Sequence, residues 1–182
     1  MESTTTPNVE VEATPAVAEV DQPSTLTKKT IILFSGDFDR VMAALIIANG
    51  AAAMGDDVTI FCTFWGLNLL RKDQKVKVGG KSFLQGMFGR MMPRGANKFG
   101  LSKMNFAGVG APLMKKVMKA EGVMSMPELL EAARDQGVKL VACTMTMDVL
   151  GLKKEELFDD IEYAGVASYL AEADESNVNL FI

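Results

Sequence analysis

The feature that most constrains the fold is an unbroken apolar strand that is followed closely by a helix and a second strand. Ile31–Phe34 is a continuous apolar run, which is typical of a strand buried on both faces of a parallel sheet. A turn at 35–39 leads into an alanine-rich helix over 40–54, and Val58–Cys62 reads as the second strand. This strand–helix–strand unit predicts an α/β fold around a mostly parallel sheet.

The remaining elements extend this pattern into one domain. Strands are predicted over 138–143, 162–166 and 177–182, and helices over 63–70, 82–92, 112–119, 126–136, 148–150, 154–160 and 167–174. Residues 1–27 are rich in Thr, Pro, Glu and Val without a period, which predicts a disordered leader, or alternatively an edge strand near residues 9–11. We therefore expect a single domain over 28–182, a three-layer α/β/α sandwich with a five-stranded sheet and an insertion at about 71–125.

Charge and hydropathy exclude several classes of protein. The net charge is −4 and the isoelectric point about 5.0, so no general basic footprint indicates nucleic-acid binding. The longest apolar stretch, 41–54, contains Asn49 and Gly50 and is too short for a transmembrane segment. The first residues lack the basic and apolar regions of a signal peptide, so we expect a cytoplasmic protein with free thiols.

The absence of histidine narrows the chemistry further. It excludes Ser-His-Asp and Cys-His mechanisms and every histidine-ligated metal site. Two cysteines without histidine are too few for a structural zinc site, so we expect no metal and no cofactor. Any reaction has to use a thiol, a carboxylate, a hydroxyl, a lysine or backbone dipoles.

Cys143 is the first candidate for that chemistry. It lies where the strand over 138–143 ends and a helix begins, a position where backbone N–H groups favour a thiolate or an anionic persulfide. Thr144 and Met145 lie just beyond it and are candidate substrate contacts. Asp148 follows about one helical turn later and would orient a lysine or cap the short helix. The alternative is an inert cysteine that closes a buried strand.

Cys62 ends the second strand and is expected at the same edge of the sheet. If the two strands are neighbours, both thiols could line one crevice. Trp65, which is also a candidate substrate contact, and the phenylalanines nearby form an apolar environment, which would raise the pKa of the Cys62 thiol. Gly36 and Asp37 follow the first strand at this edge and would hold an anion, although helix capping by Asp37 is the simpler interpretation.

Other charged and methionine-rich stretches have simpler interpretations. A basic run predicts a solvated loop or a surface for an acidic partner. The methionines between 87 and 126 predict core positions or a subunit interface. A later acidic run predicts a solvated helix face. The basic run is Arg71, Lys72, Lys75, Lys77 and Lys81, and the acidic run is Glu155, Glu156, Asp159 and Asp160.

Four segments in the same order resemble the DsrE/DsrF-like family, and more closely its larger DsrE-like branch. They are T-F-W-G-L-N-L-L after Cys62, M-F-G-R-M-M-P-R-G, A-C-T-M-T-M-D-V-L-G around Cys143, and the terminal N-V-N-L-F-I. The resemblance covers about 28–182. It implies a three-layer α/β/α fold, a homo-oligomer, and a cysteine that carries sulfane sulfur as a persulfide between proteins. It places the sulfur on Cys143, with Cys62 as a second family-type cysteine, and implies TusA-like carriers and rhodanese-like donors as partners.

Two hypotheses about function follow. In the first, the chain is a sulfur-relay protein, either a carrier or a sulfurtransferase that acts through a persulfide on Cys143. Cys62 then either accepts the sulfur or resolves the persulfide as a disulfide. In the second, it is a non-catalytic partner-binding or regulatory module whose cysteines are structural. A thiol-disulfide reductase is a weaker option, because the two cysteines lack the C-x-x-C spacing that such enzymes use.

Overall fold

Five parallel strands form the sheet in the computed structural model, which describes residues 27–76 and 78–182. The strands are β1 (Lys28–Leu33), β2 (Asp57–Cys62), β3 (Lys139–Cys143), β4 (Glu162–Ala164) and β5 (Val178–Phe181). They lie in the order β4-β3-β2-β1-β5, and every neighbouring pair is parallel. The strand order reverses at β1. Because the strands are parallel, the chain segments that leave β1, β2 and β3 all lie at one carboxyl edge of the sheet.

Helices cover both faces of this sheet, as the predicted three-layer α/β sandwich requires. The helices are α1 (Phe38–Ala53), α2 (Phe83–Met91), α3 (Gly110–Ala120), α4 (Met126–Asp135), α5 (Thr144–Leu150) and α6 (Val166–Asp174). Buried residues of α1 and α4 form the main core with one face of the strands. Tyr169 of α6 packs on Phe61 and Val141 at the other face. Within the described residues, no helix is long and apolar enough to cross a membrane.

The segment 71–125 lies between the 3-10 helix Phe64–Leu70 and α4, and it contains α2 and α3. Gln85 of α2 donates a hydrogen bond to the Asp148 carbonyl of α5 at 2.9 Å. Ser102 donates to the Asp39 carboxylate in the first turn of α1 through its N–H, at 2.9 Å, and its hydroxyl, at 2.6 Å. These contacts anchor the segment beside the helices that follow β1 and β3.

Most predicted elements are present, with shifts at their ends. Ser125 and Glu128 carry the sequence pattern of a helix cap, and the structure forms it at the start of α4, because the Glu128 carboxylate accepts from the Ser125 N–H at 2.7 Å. The helix expected over 154–160 is wrong beyond its first turn: a 3-10 helix over Lys154–Glu156 ends there because the chain turns into the core at Leu157. The leader predicted over residues 1–27 lies outside the described residues except for Thr27.

Glu156 and Arg71 correct two of the predicted solvated surfaces. Both side chains are fully buried and form an ion pair at 3.5 Å, and Arg94 approaches the same carboxylate at 3.3 Å. Lys81 also pairs with Glu156. Arg71 and Glu156 therefore meet in the interior, because folding brings 71–94 against the turn at 154–156, whereas Glu155, Asp159 and Asp160 are exposed as predicted. The sequence did not predict this ion pair, because Arg71 and Glu156 lie far apart in the chain.

Candidate functional site

Cys143 lies at the junction that the sequence predicts, as the last residue of β3 and the N-cap of α5. The helix begins directly at Thr144, because the backbone of Cys143 is extended and the next residues adopt helical angles. Its side chain belongs to the smaller core cluster on the α6 face, and the residue is only 3% exposed. The thiol is therefore held at the carboxyl edge of the sheet, largely shielded from solvent.

Polar groups around Cys143 favour its thiolate. Burial raises the pKa of the thiol, but hydrogen bonding from the side chain and backbone of Thr146, the Thr63 hydroxyl and the Met145 N–H outweighs burial. The pKa of Cys143 consequently lies below that of an ordinary cysteine. The two hydroxyl oxygens also lie 2.9 Å apart, so one hydroxyl can donate to the other while the second keeps its proton for the sulfur. This arrangement can produce a nucleophilic thiolate and stabilise an anion on the same sulfur.

Cys62 has the opposite environment. It aligns in register with Ala142, one residue before Cys143, and successive side chains of a strand point to opposite faces. Cys62 accordingly belongs to the main core, and Cys143 belongs to the smaller cluster. Burial alone raises the pKa of the Cys62 thiol far above its usual range. The expectation that both thiols could line one crevice is therefore wrong, although their strands are neighbours.

Gly36, Asp37 and Trp65 come together at one open cavity of about 260 Å³, which Arg40 and Asn68 also line. A Cβ atom at Gly36 would lie 2.9 Å from the Trp65 Cβ, so the close approach of the two segments needs glycine. Asp37 occupies the N-cap position of α1, but its side chain makes no capping hydrogen bond and pairs with Arg40 at 3.6 Å. The simpler interpretation of Asp37 as a capping side chain is thus wrong.

Thr144 and Asp148 line a separate cavity of about 160 Å³ that includes Lys154 and Tyr163. Asp148 lies inside α5, so the prediction that it caps the short helix is wrong: the helix begins four residues earlier than expected. Met145 is exposed in the first turn of α5, two residues after Cys143. The six predicted contact residues are thus divided between two cavities and the helix start, and do not form a single pocket.

Thr63 and Thr146 are the site residues that sequence reasoning missed. Thr63 directly follows β2, and Thr146 lies in the first turn of α5, which are positions where side chains converge at the carboxyl edge of a parallel sheet. The signal was the spacing of Thr146 three residues after Cys143, which is the spacing of an N-cap residue and its usual backbone donor.

The described part of the chain contains no group of three or more Cys, Asp or Glu residues placed to hold a metal ion. Both cysteines are free thiols. The chemistry that the arrangement supports is therefore that of a single activated thiol with nearby hydrogen-bond donors.

Comparison with solved structures supports the fold. The chain is similar to the ychN protein from E. coli, with a TM-score of 0.51 and 12% identity, covering 86% of this chain and 100% of that one. It is also similar to MTH1491 from Methanobacterium thermoautotrophicum, a protein of unknown function, with a TM-score of 0.51, 13% identity, and coverage of 85% and 98%. At these identities the likeness concerns the fold alone.

Two relatives found by sequence comparison have much higher sequence identity to this chain than the solved structures do. The uncharacterized protein YrkE of Bacillus subtilis is 64% identical over 155 residues, which is 85% of this chain and 96% of that protein. The sulfur carrier protein DsrE2 of Allochromatium vinosum is 38% identical over 159 residues, or 85% of this chain and 98% of that protein. The family model described as DsrE/DsrF/DrsH-like matches residues 26–181. The resemblance noted in the four sequence segments is confirmed, and this chain belongs to the DsrE/DsrF/DrsH-like family.

Proposed function

We propose that this chain is a sulfur-relay protein that takes up sulfane sulfur on Cys143 as a persulfide and passes it to a partner thiol. The observation that carries the proposal is the environment of Cys143, where donors from Thr63, Met145 and Thr146 lower the thiol pKa. The same donors would stabilise the terminal sulfur anion of a persulfide. The 38% identical sulfur carrier relative supports this role.

In the uptake step, the Cys143 thiolate attacks the outer sulfur of a donor persulfide. An S–S bond forms at Cys143, the S–S bond of the donor breaks, and the electron pair leaves with the donor thiolate. No external oxidant or reductant is needed, because the sulfur moves at constant overall oxidation state. In the delivery step, a partner thiolate attacks the same outer sulfur and releases the Cys143 thiolate.

Cys62 has a structural role in this proposal. Its side chain lies in the main core, on the face of the sheet opposite to Cys143, and burial holds its thiol protonated. It therefore neither accepts the sulfur nor resolves the persulfide as a disulfide. Whichever protein takes the sulfur has to supply its own thiol.

The low exposure of Cys143 favours a docked donor over a freely diffusing one, because the outer sulfur has to be delivered to a nearly closed position. Carrier proteins of the TusA-like type and rhodanese-like donors fit this requirement as partners. We further propose a reducing cytoplasm as the compartment, where thiolates persist, and a homo-oligomer as the working form.

The test is the intact mass of the protein after incubation with glutathione persulfide or polysulfide, compared for wild type, Cys143→Ser and Cys62→Ser. We expect a reducible gain of about 32 Da per sulfur in wild type and Cys62→Ser, and no gain in Cys143→Ser. Circular dichroism of each variant checks that the fold is kept.

Two results would overturn the assignment. A gain that is lost only in Cys62→Ser would place the sulfur on the other thiol. A native Cys143 that takes up no sulfur and reacts with an alkylating reagent only after unfolding would favour the alternative, a non-catalytic partner-binding module with structural cysteines.

A further inference from the structure

Helix α2 presents an apolar stripe to solvent. Its exposed apolar side chains recur with the spacing of one helix face, and they are Phe83, Leu84, Met87, Phe88 and Met91. Phe83 is 87% exposed and Met91 is 74% exposed. The buried side of the helix is held by polar contacts instead, through Gln85 to α5 and through Lys81 beside α2 to Glu156. The helix is therefore amphipathic with its apolar face outward.

A second apolar surface lies in the same segment. Residues of the loop at 101–106 and of α3 line an open groove of about 420 Å³, with Met104, Phe106, Leu113, Met114 and Val117 among them. Each of these five side chains is exposed. Exposed apolar groups are thus concentrated in 83–117, on the segment that is anchored beside the helices following β1 and β3.

The segment is also strongly basic, in contrast to the rest of the chain. Residues 71–125 contain 12 of the 19 lysines and arginines but only 2 of the 23 acidic residues, a net charge of +10. The remaining residues carry a net charge of −14. Lys75, Arg90, Lys98, Lys103, Lys116 and Lys119 are exposed. Exposed apolar side chains among lysines and arginines are typical of surfaces that bind an anionic membrane interface.

We propose that the α2–α3 segment docks this protein reversibly on the surface of an anionic lipid bilayer. The apolar stripe of α2 enters the headgroup region, and exposed lysines and arginines of the same segment contact the lipid phosphates. The same surface potential repels the acidic side chains of the described residues outside this segment.

The charge distribution favours a bilayer over a second copy of the chain on this face. A symmetric contact would bring the exposed lysines and arginines of two copies together, and such like-charge repulsion opposes association. The proposal does not depend on the persulfide chemistry at Cys143, since Phe83 and Met91 line neither the cavity at Thr144 and Asp148 nor the one at Gly36 and Trp65.

The test is co-sedimentation of the full chain with vesicles of phosphatidylcholine alone and vesicles that also contain phosphatidylglycerol. We expect binding to the anionic vesicles only, with a loss of affinity as salt rises. The double variant Phe83→Gln with Met91→Gln should lose roughly tenfold or more in affinity. The control, Val166→Gln with Leu170→Gln, changes two exposed apolar residues of α6, outside the basic segment, and should bind as wild type.

Neutralising lysines of α3 tests the electrostatic part of the proposed binding independently of the apolar stripe. Lys116→Gln with Lys119→Gln should weaken binding roughly fivefold for each lysine. Absence of binding to either vesicle, or equal binding to both, would overturn the proposal. So would a change of oligomeric mass in vesicle-free solution for Phe83→Gln with Met91→Gln, because it would assign the stripe to a second copy. Persulfide loading of these variants, measured in parallel, keeps this result separate from the function of Cys143.

Discussion

At the scale of single residues, the proposed reactivity of Cys143 depends on hydroxyl donors, and Thr146 is the clearest test. We expect Thr146→Val, which keeps the side-chain shape but removes the hydroxyl, to raise the pKa of Cys143 and to slow persulfide uptake several-fold at neutral pH. The pKa is measured from the pH dependence of alkylation of the native protein, in a Cys62→Ser background.

Thr144→Val is the matched control for this experiment. Its hydroxyl donates to the Ala164 carbonyl at 3.4 Å and does not contribute to the pKa of Cys143. An equal effect of the two substitutions would show that the Thr146 hydroxyl has no specific influence on the thiol.

The lowered pKa of Cys143 also predicts that the stability of the fold depends on pH. The lowered pKa of Cys143 in the folded state means that its thiolate favours folding. This stabilisation is fully present above the pKa of an ordinary cysteine and is lost as the pH falls through the lowered folded-state pKa. We expect the free energy of unfolding of wild type, relative to Cys143→Ser, to increase as pH rises across that interval. Urea denaturation under reducing conditions measures it, and a constant difference would contradict the lowered pKa.

At the scale of elements, a buried ion cluster ties the 71–94 region to the turn before β4. Glu156 accepts from Lys81, Arg71 and Arg94, and Arg71 also donates to the Gly89 carbonyl at 3.1 Å, inside α2. Burial, followed by the charge of Arg94, lowers the pKa of Arg71 to about 10, and Glu156 opposes this change. One carboxylate thus balances the buried Arg71 and the partly buried Lys81 and Arg94.

We expect Glu156→Gln to reduce the free energy of unfolding by about 3–5 kcal/mol, because it leaves the buried Arg71 without its counter-charge. The measurement is equilibrium denaturation by urea. Glu155→Gln, at the exposed neighbouring position, is the control and should stay close to wild type. Similar stability of the two variants would mean that the cluster adds nothing to the anchoring of α2.

At the scale of the whole molecule, the sheet separates the two thiols. Cys62 and Cys143 lie on neighbouring strands but on opposite faces, so we expect a disulfide-forming oxidant to leave the native chain without an internal disulfide. The same oxidant should form that disulfide once the chain is unfolded. Intact mass under non-reducing conditions distinguishes the two, and an internal disulfide in the native protein would contradict the separation.

Much of the fold was predictable from local signals. The apolar run at 31–34, the turn after it and the capping pair Ser125 and Glu128 each specify their element within a few residues, because backbone preference and hydrophobic period act locally. The position of Cys143 at the junction of a strand and a helix was also predicted from local signals. The burial of Arg71 and Glu156 was not, since a charged residue in a basic or acidic run indicates a solvated surface unless its distant partner is known.

The sequence by itself therefore determined the parallel sheet, the strand-to-helix junction at Cys143 and the strong charge contrast between 71–125 and the remainder. Only the tertiary structure decided which faces the thiols occupy, because a shift of one residue in strand register reverses the side of every side chain. It likewise decided that Thr63 and Thr146 meet at the sulfur, and that α2 turns its apolar face outward, since both depend on contacts between segments far apart in the chain.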